Sequence, residues 1–207
     1  MLIEKPSIKI GRLLMMPNVW FTSDHHFGHR NLVEKIADRP FSSIEEMDEE
    51  LIRRWNFLVH PRDLVYHLGD FAWQSVAIYA DRLNGTKQLI KGNHDREKDS
   101  KYREYFAWVG DYKRIKFHDR KLTLFHYPIL SWQGKHRGDW HLYGHTHNSI
   151  IPLIGSCEVS VDAWNYYPIS FDQLDEYFLV QKEVIKTMVL NTKPCNDYAC
   201  ARCGDLE

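Results

Sequence analysis

Long apolar runs are missing from this 207-residue sequence, and so is any strong charge of one sign. No stretch nears the roughly 20 apolar residues that cross a bilayer. The opening MLIEKPSIKIGRLLMM is too broken by charge to act as a secretory signal. A cytoplasmic protein with no membrane partner is expected. A net charge of −1 argues against bulk electrostatic binding to nucleic acid, since phosphate-neutralising binders are basic over the whole domain. A local strip of Lys113, Arg114, Lys116, Arg120 and Lys121 keeps a nucleic-acid-binding enzyme as a lesser alternative. Cysteine is scarce as well. Four are too few for a disulfide scaffold of this size, and three of them, Cys195, Cys200 and Cys203, fall in the last thirteen residues as C-x4-C-x2-C. That spacing suits zinc, but a structural zinc site takes four ligands and Cys157 is distant in sequence. The chain therefore reads as one domain over 1–190 with a flexible Cys-containing tail over 191–207.

What is present is ordinary globular composition, 43% hydrophobic and 27% charged, arranged as alternating strand and helix patterns. NVWFTS (18–23), DLVYHL (63–68) and KQLIK (87–91) read as strands. SSIEEMDEELIRRWNFLV (42–59) opens on serine, carries acids in its first turns, and spaces Ile44, Met47, Leu51, Trp55 and Leu58 along one helical face. Residues 75–84 and 96–109 are expected to be helices. DYKRIKFHDRKLTLFHY alternates on both sides of His118-Asp119-Arg120 and predicts a β-hairpin. WHLYGH (140–145) and CEVSVDA (157–163) are further strands, and 170–190 begins as a helix whose β-branched second half could be a strand. The first part reads as parallel and the second as antiparallel, which makes an α/β (α+β) strand-rich sandwich flanked by helices.

The polar residues fall in a pattern. Asp24 and His26 follow the first strand, Asp70 the second, and Asn93 and His94 the third; His126 closes the hairpin, and His145 and His147 follow the next strand. In open α/β sheets ligands collect at the carboxyl ends of strands, so these stretches can share one rim. Gly69, Gly92 and Gly144 precede three of them and permit sharp turns and close backbone approach. Imidazole and carboxylate together suit zinc, manganese, iron or nickel. Eight candidates exceed the capacity of one ion, whereas two ions sharing a carboxylate can use them. Two such ions form a clamp for in-line attack at phosphorus. The two imidazoles of GHTH would then face different ions.

SDHH, LGD, GNHD, the isolated His126 and GHTH occur in an order that resembles the calcineurin-like metallophosphoesterase superfamily. SDHHFGHRN and VDAWNYYPIS are similar to a small bacterial or phage branch of it. The match runs from Asn18 to about Gln173. The resemblance implies a four-layer α-β-β-α sandwich with mixed sheets. It also implies that Asp24, His26 and His147 bind one ion, that Asn93, His126 and His145 bind the other, and that Asp70 bridges them. His94 would stand outside the metal shell, hydrogen-bonded to Asp95, as general acid toward the leaving group. A hydroxide shared between the two ions would attack phosphorus. Manganese is favoured among the candidate metals.

The function expected is a dinuclear-metal phosphodiesterase acting on small phosphate esters, nucleotides among them. A phosphomonoesterase or phosphoprotein phosphatase is the alternative, and a non-catalytic metal-binding scaffold is a third reading. His29, Arg30 and Asn31 follow the first ligands and are candidates either for the substrate phosphate or for capping the next helix. His67 reads as a core histidine and His25 points away from the ligands. His141 is either a support for a ligand through a hydrogen bond or simply buried. WQGKHR (132–137) reads as a mobile loop or a substrate lid.

Overall fold

The computed structural model describes residues 17–34 and 39–191. The opening segment and the tail with Cys195, Cys200 and Cys203 lie outside them. One sheet contains β1 (Val19–Thr22), β2 (Leu64–His67), β3 (Thr86–Ile90), β4 (Trp108–Gly110) and β9 (Ile169–Ser170), in the spatial order β4-β3-β2-β1-β9. Its first four strands are parallel, and β9 runs antiparallel to β1. The other sheet is β5 (Tyr112–Phe117), β6 (Arg120–Phe125), β7 (Trp140–Tyr143) and β8 (Ser156–Glu158), side by side in that order. The expected hairpin forms, but its turn is His118-Asp119 alone, since Arg120 already pairs with Phe117.

Period-two alternation sends successive side chains to opposite faces. Val19 and Phe21 of β1, with Tyr66 and Leu68 at β2, join Leu122, Leu124 and Leu142 of the second sheet in one buried cluster. This is the core between the sheets. Trp20 and Val65, one residue out of phase, face a second core formed with the helix α2 (Ile44–Leu58). That helix buries Ile44, Met47, Leu51, Ile52 and Trp55, each contributing about 1.5–3 kcal/mol on leaving water. Leu58 of the expected stripe is only partly buried. The Ser43 hydroxyl caps the helix by accepting from Glu46 N at 3.1 Å, and the Glu46 carboxylate accepts in return from Ser42 N at 2.7 Å. The helix α5 (Phe171–Asn191) packs Phe171, Leu174 and Phe178 into the inter-sheet core.

Several expected elements differ. Residues 96–109 contain only the short helix α4 (Asp99–Tyr102), because Trp108 and Val109 pair with Gln88 and Leu89 as an edge strand. The helix expected over 75–84 shrinks to α3 (Ala77–Ala80), and α1 (Arg30–Glu34) is a single turn. Helix α5 continues through the β-branched stretch that could have been a strand. The second sheet is antiparallel only between β5 and β6, since β6, β7 and β8 are mutually parallel. That last difference matters for function, because parallel strands end on the same edge.

Candidate metal centre

The ends of β1, β2 and β3 meet the ends of β6, β7 and β8 along one rim. Backbone bonds stitch the loops beyond them: Asp24 N donates to Gly69 O (2.9 Å), His26 N to Asp70 O (3.0 Å), and Gly144 N to His126 O (2.9 Å). The loops turn sharply. Asp24, His26, Asp70, His145 and His147 all hold φ between 47° and 72°, a left-handed region uncommon for residues other than glycine. Such strain costs on the order of 1–3 kcal/mol per residue and collects at functional sites. Glycine completes the turns, since a Cβ at Gly92 would overlap Asp70 Oδ1 and one at Gly144 would overlap Asp24 Oδ2.

Two groups of candidate ligand atoms result. Asp24, His26 and His147 form one and Asp70, His126 and His145 the other, with the atoms of each group within 4.8 Å of one another. The Asp70 carboxylate joins them: its Oδ2 lies 3.5 Å from His26 Nε2 and 3.5 Å from His126 Nε2. Asn93 Oδ1 lies 3.1 Å from His126 Nε2. His145 donates its backbone N–H to both Asp24 oxygens, at 3.1 and 3.0 Å.

The donor chemistry fits divalent cations. His126 Nδ1 donates to Leu68 O at 2.7 Å, so Nε2 turns a bare lone pair toward Asp70 and Asn93. His147 Nδ1 donates to Asp162 Oδ2 at 2.7 Å, leaving its Nε2 lone pair 3.9 Å from Asp24 Oδ1. A lone pair facing a carboxylate oxygen is repelled unless a proton or a cation lies between them. Burial pushes the Asp24 carboxyl up to about 7, against the pull of His147 and Ser23, and a bound cation would restore its charge. Burial also opposes protonation of His147, but Asp162 and Asp24 raise its pKa above the ordinary histidine value.

Three residues that the sequence reading missed hold this arrangement. Asp162 fixes the tautomer of His147, the usual way a carboxylate orients a ligating imidazole. Arg39, buried at 4% exposure, donates through Nε and Nη2 to Asp162 Oδ1 and Oδ2 (2.9 and 2.8 Å). The same guanidinium donates to Asp24 O (2.5 Å) and His25 O (2.9 Å), so it clamps the first loop. Glu158 accepts from Thr146 Oγ1 (2.7 Å) and Asn148 N (3.0 Å), which anchors the GHTHN loop. Asp162 was hidden inside the strand expected over 157–163; β8 in fact stops at Glu158, which leaves Asp162 on the turn Val161–Trp164. Arg39 carries no local signal.

The remaining candidates separate. His94 N donates to Asp70 Oδ1 at 2.8 Å, its ring lies 5.3 Å from His26, and its Nδ1 has no hydrogen-bond partner. The expected bond from Asp95 to that ring is not made. The Asp95 carboxylate instead accepts from the backbone N–H of Asp70, Phe71 and Gly92 at 2.8–3.0 Å, because the tight loops after β2 and β3 turn those amides inward. Burial pushes Asp95 up to about 7, against the amides that lower it. His29 lines a hollow of about 820 Å3 together with His26, His94 and His147. Arg30 reaches Glu45 and Asn31 is exposed on α1; neither lines that hollow.

His67 is a core histidine, as expected. Its Nδ1 accepts from Gly69 N (3.2 Å), so its Nε2–H donates to His25 Nδ1 (2.9 Å). His141 supports no ligand, for its ring faces the carbonyls of Thr123 and Tyr127. The 132–137 segment is anchored by Trp132, which is buried, packs on His141 and donates to Asp139 O. None of that segment lines the 820 Å3 hollow. In the basic strip Arg114 pairs with Asp139 and Arg120 with Asp175, which weakens the nucleic-acid reading.

A family model described as calcineurin-like phosphoesterase matches residues 17–119. The chain is 34% identical over 188 residues to the uncharacterized protein MJ1445 of Methanocaldococcus jannaschii, covering 84% of this chain and 98% of that protein. It is 30% identical to the Gene 66 protein of Mycobacterium phage D29, covering 72% of this chain and 90% of the phage protein. The likeness thus extends to an archaeal protein as well as phage ones. Among solved structures, a protein of unknown function from Aquifex aeolicus, AQ665, aligns with a TM-score of 0.66 at 25% identity, over 78% of this chain and all of that one.

Proposed function

Since this chain belongs to the calcineurin-like phosphoesterase family, metal-dependent phosphoric ester hydrolases, we propose that it is a phosphodiesterase using two divalent metal ions. Asp24, His26 and His147 would hold one ion and Asn93, His126 and His145 the other, with Asp70 shared. The observation that carries this reading is the position of Asp70 Oδ2, 3.5 Å from an imidazole nitrogen of each group. Two cations held there would supply an activated water at neutral pH and neutralise the non-bridging phosphoryl oxygens.

The protein's own groups do the rest. His94 lines the hollow with its backbone tied to Asp70 and gives its proton to the departing oxygen. Asp95 acts at one remove, by holding the amides of Asp70, Phe71 and Gly92. The charge of the hollow favours a diester over a monoester. Arg39 is the one lysine or arginine among the described residues that line it, and that guanidinium is committed to Asp162 and two carbonyls. Among the described residues, the second negative charge of a monoester would find no uncommitted lysine or arginine there.

The test is to strip the protein, restore manganese, iron, zinc or nickel singly, and compare bis(p-nitrophenyl) phosphate with p-nitrophenyl phosphate. Preferential hydrolysis of the diester is expected, with manganese the favoured metal. Preference for the monoester would make the protein a phosphomonoesterase, and no hydrolysis with any ion would favour the scaffold reading.

A further inference from the structure

A second hollow, of about 330 Å3, adjoins the site and shares His94 with the larger one. Its wall is Trp73, an indole left 48% exposed. A lone exposed aromatic means little, but this one is held in place and has planar company. Its backbone N–H donates to Phe27 O at 2.8 Å, three residues beyond Asp70. The His29 ring lies 4.0 Å from it and the His94 ring 5.1 Å, and the Arg96 guanidinium sits 5.8 Å from the indole centroid. Ser75, Gln74 and Glu97 add polar groups to the lining.

From this juxtaposition we infer that the hollow is the leaving-group subsite and that it receives a nucleobase, stacked against Trp73. The inference rests on the phosphodiesterase reading and names its substrate class, nucleoside phosphodiesters. His94 stands between the two hollows, so the group that departs past it enters the Trp73 side. Hydrolysis breaks the bond from phosphorus to the nucleoside oxygen, water supplies the new oxygen on phosphorus, and the nucleoside oxygen takes the proton from His94. A planar base suits the indole and guanidinium faces, and its polar edge can meet Ser75, Gln74 and Glu97. An aliphatic group would strip water from those side chains with nothing in return. Stacking tolerates any base, since every base offers a π-face.

Isothermal titration of the manganese-loaded protein with AMP and with ribose phosphate tests this, because the two ligands differ only in the base. The wild type should bind AMP about tenfold more tightly or better. In Trp73→Ala that ratio should fall toward one, and in Trp73→Phe it should be intermediate. A ratio near one in the wild type, or one unchanged in Trp73→Ala, overturns the subsite. Should Trp73→Ala fail to fold, as judged by metal uptake, Trp73→Phe carries the test, and an unchanged ratio there overturns it equally. The two proposals fail separately. Diester hydrolysis without a preference for AMP removes the subsite alone, whereas a Trp73-dependent preference without any hydrolysis removes the proposed reaction and leaves the subsite.

Discussion

At the scale of single residues, the site depends on side chains outside the two candidate ligand groups. Asp162 bonds His147 Nδ1, and Arg39 bonds Asp162 together with the Asp24 and His25 carbonyls. Asp162→Asn keeps the shape but removes the charge that orients His147. Metal affinity should fall about 10–100-fold, as is usual for partners of ligating imidazoles, measured by competition with a chromogenic chelator. His94 should behave differently. His94→Ala is expected to lower turnover by about 10²–10⁴-fold, the usual contribution of a general acid, with metal content by elemental analysis unchanged. Loss of metal in that variant would place His94 among the ligands instead. The candidate ligands were legible because imidazoles and carboxylates follow one strand after another. Arg39 was not, since its partners Asp24, His25 and Asp162 lie up to 123 residues away.

At the scale of elements, α2 does more than cover the first sheet. It buries Leu51 and Trp55 completely, and its Asp48 accepts from Gly28 N at 3.1 Å and from Tyr79 Oη–H at 2.9 Å, which ties the loop after His26 to the helix. Leu51→Ala should cost about 2–5 kcal/mol of stability through lost burial and the cavity left behind. Chemical denaturation would show this as a lower midpoint with an unchanged slope. The amphipathic spacing of α2 and its serine cap made the element readable. The 96–109 segment misled because Tyr102 and Phe106 stand four apart, as on a helix, while the pairing of Trp108 and Val109 with β3 is a long-range choice. Local preference yields where an open sheet edge offers backbone partners.

For the whole molecule, buried titratable groups set the response to pH. Burial holds His67 down at about 3 and His141 at about 4, against an ordinary 6.5. As pH falls from 6.5 toward those values the unfolded chain takes up protons that the folded one refuses, so these histidines withdraw stability there. Buried Asp48 and Asp95, raised to about 6 and about 7, act in the opposite sense, so a difference between proteins isolates one group. His141→Gln should abolish its share, at most about 3 kcal/mol between pH 6.5 and 4. Denaturation of both proteins across that range reads the change, and parallel curves would refute the role of His141. The sequence by itself placed β1, β2, β3 and the hairpin, the candidate ligand side chains that follow them, and the α/β class, because periodicity and short turns are local properties of the chain. Only the tertiary structure decided that β6, β7 and β8 run parallel, that Asp70 faces imidazoles of both groups, and that Asp95 serves amides rather than His94. Each of those outcomes depends on which distant segment lies alongside, and close packing settles that for the molecule as a unit.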